Sequence, residues 1–174
     1  DMEFHLNSIH IHLNTRDSSC DLATLDKSAR EKSLDDHRQA VDFAAALGGC
    51  ILVTHDLKIP EPEQEFAVEK RDAFLQNLGE LAAYAAPLGV RFALENTGPT
   101  GYTGDPSRLI GLMDDLGAAN VGVVIDTGHR NLSGDPAAAL HLVREHLITL
   151  HLHDNHGERD EHLLPGRGDI AWDE

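Results

Sequence analysis

The sequence predicts an α/β fold of the (β/α)8 barrel type, incomplete here, with about five parallel strands and helices on their outer face. Three observations predict it. Apolar runs rich in Val, Ile and Leu alternate with amphipathic stretches, as strands buried on both faces alternate with covering helices. Four successive runs end in His55, Glu95, Asp126 and His153. An open doubly wound sheet gathers its ligands at one switch point, whereas all strand ends of a barrel face one central mouth, so this even spread of reactive residues favours the barrel.

The elements follow in order. From Phe4 to Leu13 polar and apolar residues largely alternate, which is the strand period and puts His10 and His12 on one face. The polar stretch 14–32 reads as mostly loop. Ser33 then precedes Leu34, His37, Val41 and Ala44 at helical spacing, closed by Gly48-Gly49. Ile51–His55 is a buried strand, and Phe66, Phe74, Leu78, Leu81 and Ala85 mark a long amphipathic helix ending near Pro87. Val90–Glu95 is the next strand, followed by a loop rich in Gly, Thr and Pro. Asp105-Pro106 and Asp135-Pro136 each pair an N-cap with a proline in the first helical turn. Between them lie the strand Val121–Asp126 and a loop from Thr127 to Gly134, and Ile148–His153 is the last strand. A (β/α)8 barrel needs eight strands and typically about 250 residues, so the 174 residues read as the middle and later part of one, organised as a single domain over 1–174.

A chain of this length with 41% hydrophobic residues can bury a real core. Thirty acidic against 14 basic residues give a formal charge of -16, which repels phosphate backbones and argues against a nucleic-acid partner. Cys20 and Cys50 are too few for a disulfide framework and lack metal-motif spacing, so they read as free thiols. No run approaches the roughly 20 apolar residues of a membrane span, and a soluble, cytoplasmic protein is expected.

Imidazoles and carboxylates crowd the strand ends and the loop after Ile148, and these are natural ligands of a divalent metal, zinc or manganese foremost, with magnesium or cobalt also accommodated. One carboxylate at a strand end is more often a helix cap or loop acceptor. Glu95, Asp126 and His153, at equivalent positions on three strands, make a ligand set the better reading, because unpaired buried charge would cost several kcal/mol. His129 follows Asp126 in an Asp-x-x-His arrangement that can serve the same site or leave a solvated loop histidine. Asp160 and His162 form an Asp-x-His pair able to point at one ion. His12 and His55 read equally well as ligands of a further metal or as core histidines bonded to backbone, with His10 the register alternative to His12. His151 and His156 read as supporting or solvated residues.

Leu94-Glu-Asn, Val124-Ile-Asp-Thr-Gly-His129 and, most specifically, the stretch from His151 to Trp172 resemble the xylose isomerase-like TIM-barrel superfamily, its sugar phosphate isomerase/epimerase group above all. That group shares its fold with the type IV apurinic endonucleases. The resemblance runs from about His12 to Trp172. It implies metal ligation by Glu95, Asp126 and His153, with His129 and Arg159 holding substrate oxygens as in the ketose epimerases. The endonuclease branch implies further metal ligands at His12, His55, His129, Asp160 and His162. The family's first strands and the second active-site glutamate of its eighth strand have no counterpart in these residues.

The expected function is therefore a metal-dependent isomerase or epimerase of a sugar, sugar phosphate or polyol, acting through a metal-stabilised enediolate with Glu95 or the eighth-strand glutamate as base. Two readings stand beside it. One is multi-metal phosphoester hydrolysis in the manner of the endonuclease branch. The other is a non-catalytic assembly module, since the open edges of a partial barrel invite pairing with another chain, a homo-oligomer included.

Overall fold

The computed structural model describes residues 6–11, 20–55, 59 and 64–173. Five strands, β1 (Ser8–His10), β2 (Ile51–Thr54), β3 (Arg91–Glu95), β4 (Val121–Asp126) and β5 (Leu147–His151), form one sheet. Every neighbouring pair is parallel and the spatial order is the chain order. A doubly wound sheet reverses its order once. This sheet does not, and it forms a half-barrel of the (β/α)8 kind.

Helices α1 (Lys27–Ala46), α2 (Ala67–Ala85), α3 (Pro106–Leu116), α4 (Thr127–Asn131) and α5 (Pro136–Val143) occupy the crossovers. Strand residues alternate between two environments. Leu52, Phe92, Leu94, Val123 and Ile125 pack outward against Leu34, Val41, Phe74, Leu78, Leu109 and Leu112 of the helices, and this is the main core. Ile51, Val53, Ala93 and Val124 point the other way into a smaller apolar cluster. By the two-residue period, Val53 hands this inner row to His55, Ala93 to Glu95 and Val124 to Asp126. The reactive residues therefore crown the inner face at the C-terminal ends of the strands, where barrels carry their chemistry.

Three parts of the sequence reading change, the first being the last strand, which runs from Leu147 to His151 and leaves His153 two residues beyond its end. Helix α1 starts at Lys27 within the stretch expected to be loop, and Ser33 lies buried inside it instead of before it. Asp26 caps it by accepting from the Ala29 N–H at 2.8 Å, and Lys27–Glu31 and Lys32–Asp36 pair along its exposed side, so the polarity belongs to a solvated helical turn. Its C-terminus ends at Gly48 (φ 97°) and Gly49 (φ 81°), both left-handed, as the glycine pair predicts. The loop expected from Thr127 contains α4, and the Asp126 side chain caps it by accepting from the His129 N–H at 2.8 Å. Among the described residues no helix is long and apolar enough to cross a membrane.

Candidate metal centre

Glu95 is the point on which the site converges. Its carboxylate is 2% exposed at the end of β3, a depth at which a charge is sustained only by partners. His10 Nε2 lies 3.1 Å and His55 Nε2 3.0 Å from Oε2, while His151 Nδ1 lies 3.1 Å and His129 Nδ1 3.5 Å from Oε1. Burial by itself would push the Glu95 carboxyl up, but the bonds to His10, His151 and His55 override it and hold the group well below the usual carboxylate range. The same contacts push His10 and His151 up, in each case against burial.

The tautomers are constrained. The Ile11 carbonyl sits 2.7 Å from His10 Nδ1 and can only accept, so Nδ1 carries a proton. In the neutral ring the lone pair of Nε2 then faces a carboxylate oxygen 3.1 Å away, a contact that calls for a cation between them, proton or metal. His129 is held alike, with Nδ1 3.1 Å from the Asn96 carbonyl and Nε2 left to face Asp160 Oδ2 at 3.5 Å. A backbone acceptor behind the ring is the arrangement that orients histidines toward metals.

A second cluster adjoins the first. His153 Nε2 approaches Asp126 Oδ1 to 2.7 Å, yet neither of its ring nitrogens, both buried, has a partner with hydrogen-bond geometry among the described residues. His55 Nδ1 is likewise buried and unpartnered among them. Two buried lone-pair groups in contact without a shared hydrogen bond have the geometry of co-ligands of one ion. Asp160 Oδ1 lies 3.1 Å from His162 Nδ1 and 3.7 Å from His153 Nδ1, and the rings of His153 and His162 stack at 4.1 Å and 3°. Among the described residues three groups have ligand atoms close enough to share an ion: His10, His55 and Glu95; Glu95, Asp126 and His151; and His153, Asp160 and His162. The donor set, nitrogen and carboxylate oxygen throughout, fits zinc or manganese.

The scaffold beneath is built from amide and hydroxyl contacts. Asn96 Oδ1 accepts from the Asp126 N–H at 2.7 Å and its Nδ2 donates to the Asp126 carbonyl at 3.2 Å, tying β3 to β4. Thr127 Oγ1 accepts from His153 N–H at 3.1 Å and donates to the His153 carbonyl at 2.7 Å. Gly128 has no substitute there, because a Cβ would collide with the His153 ring.

Of the residues singled out from sequence, Glu95, Asp126, His129, His153, His55, Asp160 and His162 come together at the strand ends. His12 lies outside the described residues, and His10, two positions earlier, reaches Glu95. Arg159 is not brought to the cluster: its side chain is 81% exposed and turns to Glu161 at 3.1 Å. His151, set aside in the sequence reading, bonds Glu95. The signal for it was present, since it stands two residues before His153 and opposite Asp126 in the β4–β5 register.

Comparison with known proteins follows the geometry. Residues 3–174 match the family described as xylose isomerase-like TIM barrel. An uncharacterized protein of Methanocaldococcus jannaschii is 31% identical over 157 residues, spanning 86% of this chain and 53% of its own length. A crystal structure of a D-tagatose 3-epimerase-like protein superposes with a TM-score of 0.82 at 27% identity, covering 94% of this chain and 61% of that one. A protein from Thermus thermophilus, its structure obtained with ZnCl2 soaking, gives a TM-score of 0.74 at 29% identity over 97% of this chain and 66% of that one. The chain thus spans about half the length of the curated relative and under two thirds of the epimerase-like protein.

Proposed function

The chain belongs to the xylose isomerase-like TIM-barrel family, and from that premise we propose that it carries the metal-binding and proton-transfer centre of a divalent-metal-dependent sugar isomerase or epimerase. The observation that carries the reading is Glu95: a nearly fully buried carboxylate approached by three histidines at 3.0–3.1 Å, beside Asp126 and a His153 whose ring nitrogens lack hydrogen-bond partners among the described residues. The D-tagatose 3-epimerase-like relative supports the substrate class, a small sugar.

Glu95, Asp126 and His151, whose ligand atoms lie close enough to share an ion, would hold it, with His153, 2.7 Å from Asp126, as a further ligand and His10 and His55 on the far side of Glu95. A bound divalent metal would polarise a substrate carbonyl and offset the negative charge that develops on its oxygen when the neighbouring proton leaves. Glu95 is ionised throughout the neutral range, because its histidines hold its carboxyl low, and in that form it can take the proton. Returning the proton to the adjacent carbon gives an isomer, and returning it to the opposite face of the same carbon gives an epimer. His129, its Nδ1–H committed to the Asn96 carbonyl, would keep Nε2, which faces Asp160 Oδ2, to accept from a substrate hydroxyl.

The test is exchange of the substrate's α-proton with solvent deuterium. Glu95→Gln is expected to lower the exchange rate by at least about a hundredfold, within the ordinary range for a general base. Exchange at the wild-type rate would remove Glu95 from the role. One observation favours a second reading: the separate cluster of His153, Asp160 and His162 gives the site capacity for more than one ion, as metal-assisted phosphoester hydrolysis requires.

A further inference from the structure

The Asp-x-His pair in the loop after β5 holds an unusual pose. His162 has φ 53°, a left-handed backbone uncommon for a residue with a Cβ, and its side chain is 64% exposed, so burial does not keep it there. Its ring nevertheless stacks on His153 at 4.1 Å and 3°, and its Nδ1 stands 3.1 Å from Asp160 Oδ1. The restraint comes from the residues on either side. After His162, Leu163 exchanges backbone hydrogen bonds with Asp154 at 2.8 and 2.9 Å, an antiparallel bridge that closes the loop at its base. Before it stands Glu161.

The Glu161 carboxylate grips the front of the same loop. Its Oε2 accepts from the His156 N–H at 3.0 Å and from His156 Nδ1 at 2.7 Å, and its Oε1 accepts from Arg159 Nε at 3.2 Å and Nη2 at 3.1 Å. Both residues that flank Glu161 meet other partners. Asp160 Oδ2 lies 3.5 Å from His129 Nε2 and its Oδ1 3.7 Å from His153 Nδ1, while His162 covers the His153 ring. One side chain thus ties the loop to itself while its two neighbours are turned to the histidines of the site.

We propose that Glu161 is a positioning residue, gripping the loop so that Asp160 and His162 meet His153 as ligands of one divalent ion. The inference rests on the metal-centre reading. This ion would be held more loosely than the one beside Glu95, because Asp160 and His162 are open to water whereas Glu95 and Asp126 are buried.

The test has two readouts. In chelator-treated protein, nuclear Overhauser contact between the ring protons of His153 and His162 is expected in the wild type and lost in Glu161→Ala. Cobalt(II), followed by its visible absorption, is expected to bind the wild type in a tight step and a weaker one. Glu161→Ala should leave the tight step unchanged and weaken the second at least about tenfold, the usual scale for losing a group that orients a ligand. Glu158→Ala removes an equal charge from an exposed position in the same loop and should behave as wild type. Glu161→Leu provides the same comparison should circular dichroism show Glu161→Ala misfolded. A folded variant that keeps the ring contact or an unchanged second step overturns the role of Glu161, as does a wild type without that contact or with the tight step alone. Equal weakening by Glu158→Ala also overturns it, since loop charge and not pose would then be responsible. A wild type that takes up no cobalt at all defeats the metal-centre reading itself, and this inference with it.

Discussion

At the scale of the residue, Glu95 has a pH signature that separates it from the rest of the molecule. In the metal-free protein its folded pKa is depressed, so its contribution is present above its ordinary value of about 4.5 and lost as pH falls through the folded value. His10 and His151 have raised pKa values, so their share is fully present below about 6.5 and lost as pH rises through the raised values. Buried His37 runs the other way, lowered by burial against its bond to the Ser33 carbonyl, and would mask the effect in wild type alone. The difference in unfolding free energy between metal-free wild type and Glu95→Gln removes it. That difference should be largest between about pH 4.5 and 6.5 and shrink at higher pH, as read by urea midpoints. A difference that grows toward pH 9 would contradict the assigned contacts. At this scale Glu95 and Asp126 were legible because each closes a continuous apolar run, where strand period fixes the face, whereas the strand-end position opposite Asp126 falls to His151 and His153 lies two residues past it. The choice between His10 and His12 was not legible, because both share one face by period; His10, the one of the two among the described residues, meets Glu95. Asp126 serves as both cap and candidate ligand, so the two readings weighed for strand-end carboxylates are not exclusive.

At the scale of the element, the informative case is α4. Five residues cannot sustain a helix alone, and its position comes from outside. Fully buried Asn155 clamps both ends: its Nδ2 donates to the Gly128 carbonyl at 2.8 Å, and its Oδ1 accepts from Asn131 Nδ2 at 2.9 Å and from the Gly157 N–H at 2.9 Å. Asp154 organises the following loop in the same manner. Fully buried, it accepts from Asn155 N–H, Gly166 N–H and Trp172 Nε1, each at 2.9 Å, and from Ile170 N–H at 3.2 Å. Burial pushes its carboxyl up, but the Trp172 and backbone donors prevail and hold it at about 2. Asn155→Leu should strand the buried Gly128 carbonyl, while the part-buried Asn131 and Gly157 groups can turn to water, and so destabilise the protein by about 1–3 kcal/mol. A loss below about 0.5 kcal/mol, the scatter of neutral surface changes, would mean α4 is held by something else. None of this clamp was legible in sequence: five residues show no helical period, and a buried amide between polar neighbours resembles an exposed one. Helix α1 failed to show its start for a related reason, since its first turns are solvated and carry no apolar stripe.

At the scale of the whole molecule, the alternation of apolar runs with amphipathic segments was enough to give parallel strands and outer helices, because sheet burial on both faces leaves few other patterns. The unreversed order β1 to β5 adds what alternation cannot: it makes the sheet a barrel wall and turns all the reactive strand ends to one side. Folding thus brings candidate ligands drawn from residues 10 to 162 together in three neighbouring groups, although they are scattered along the sequence.

The most direct measurement is metal content. Protein stripped by chelator and reloaded with zinc or manganese should retain one tightly held ion per chain by elemental analysis and native mass spectrometry, and Asp126→Asn should release it. Asparagine preserves the cap on α4 while removing the charge, so the variant stays folded. Retention of two or three ions would favour phosphoester hydrolysis over isomerisation. A wild-type chain that holds no ion, or an Asp126→Asn protein that holds it as firmly, would contradict a metal centre at these strand ends.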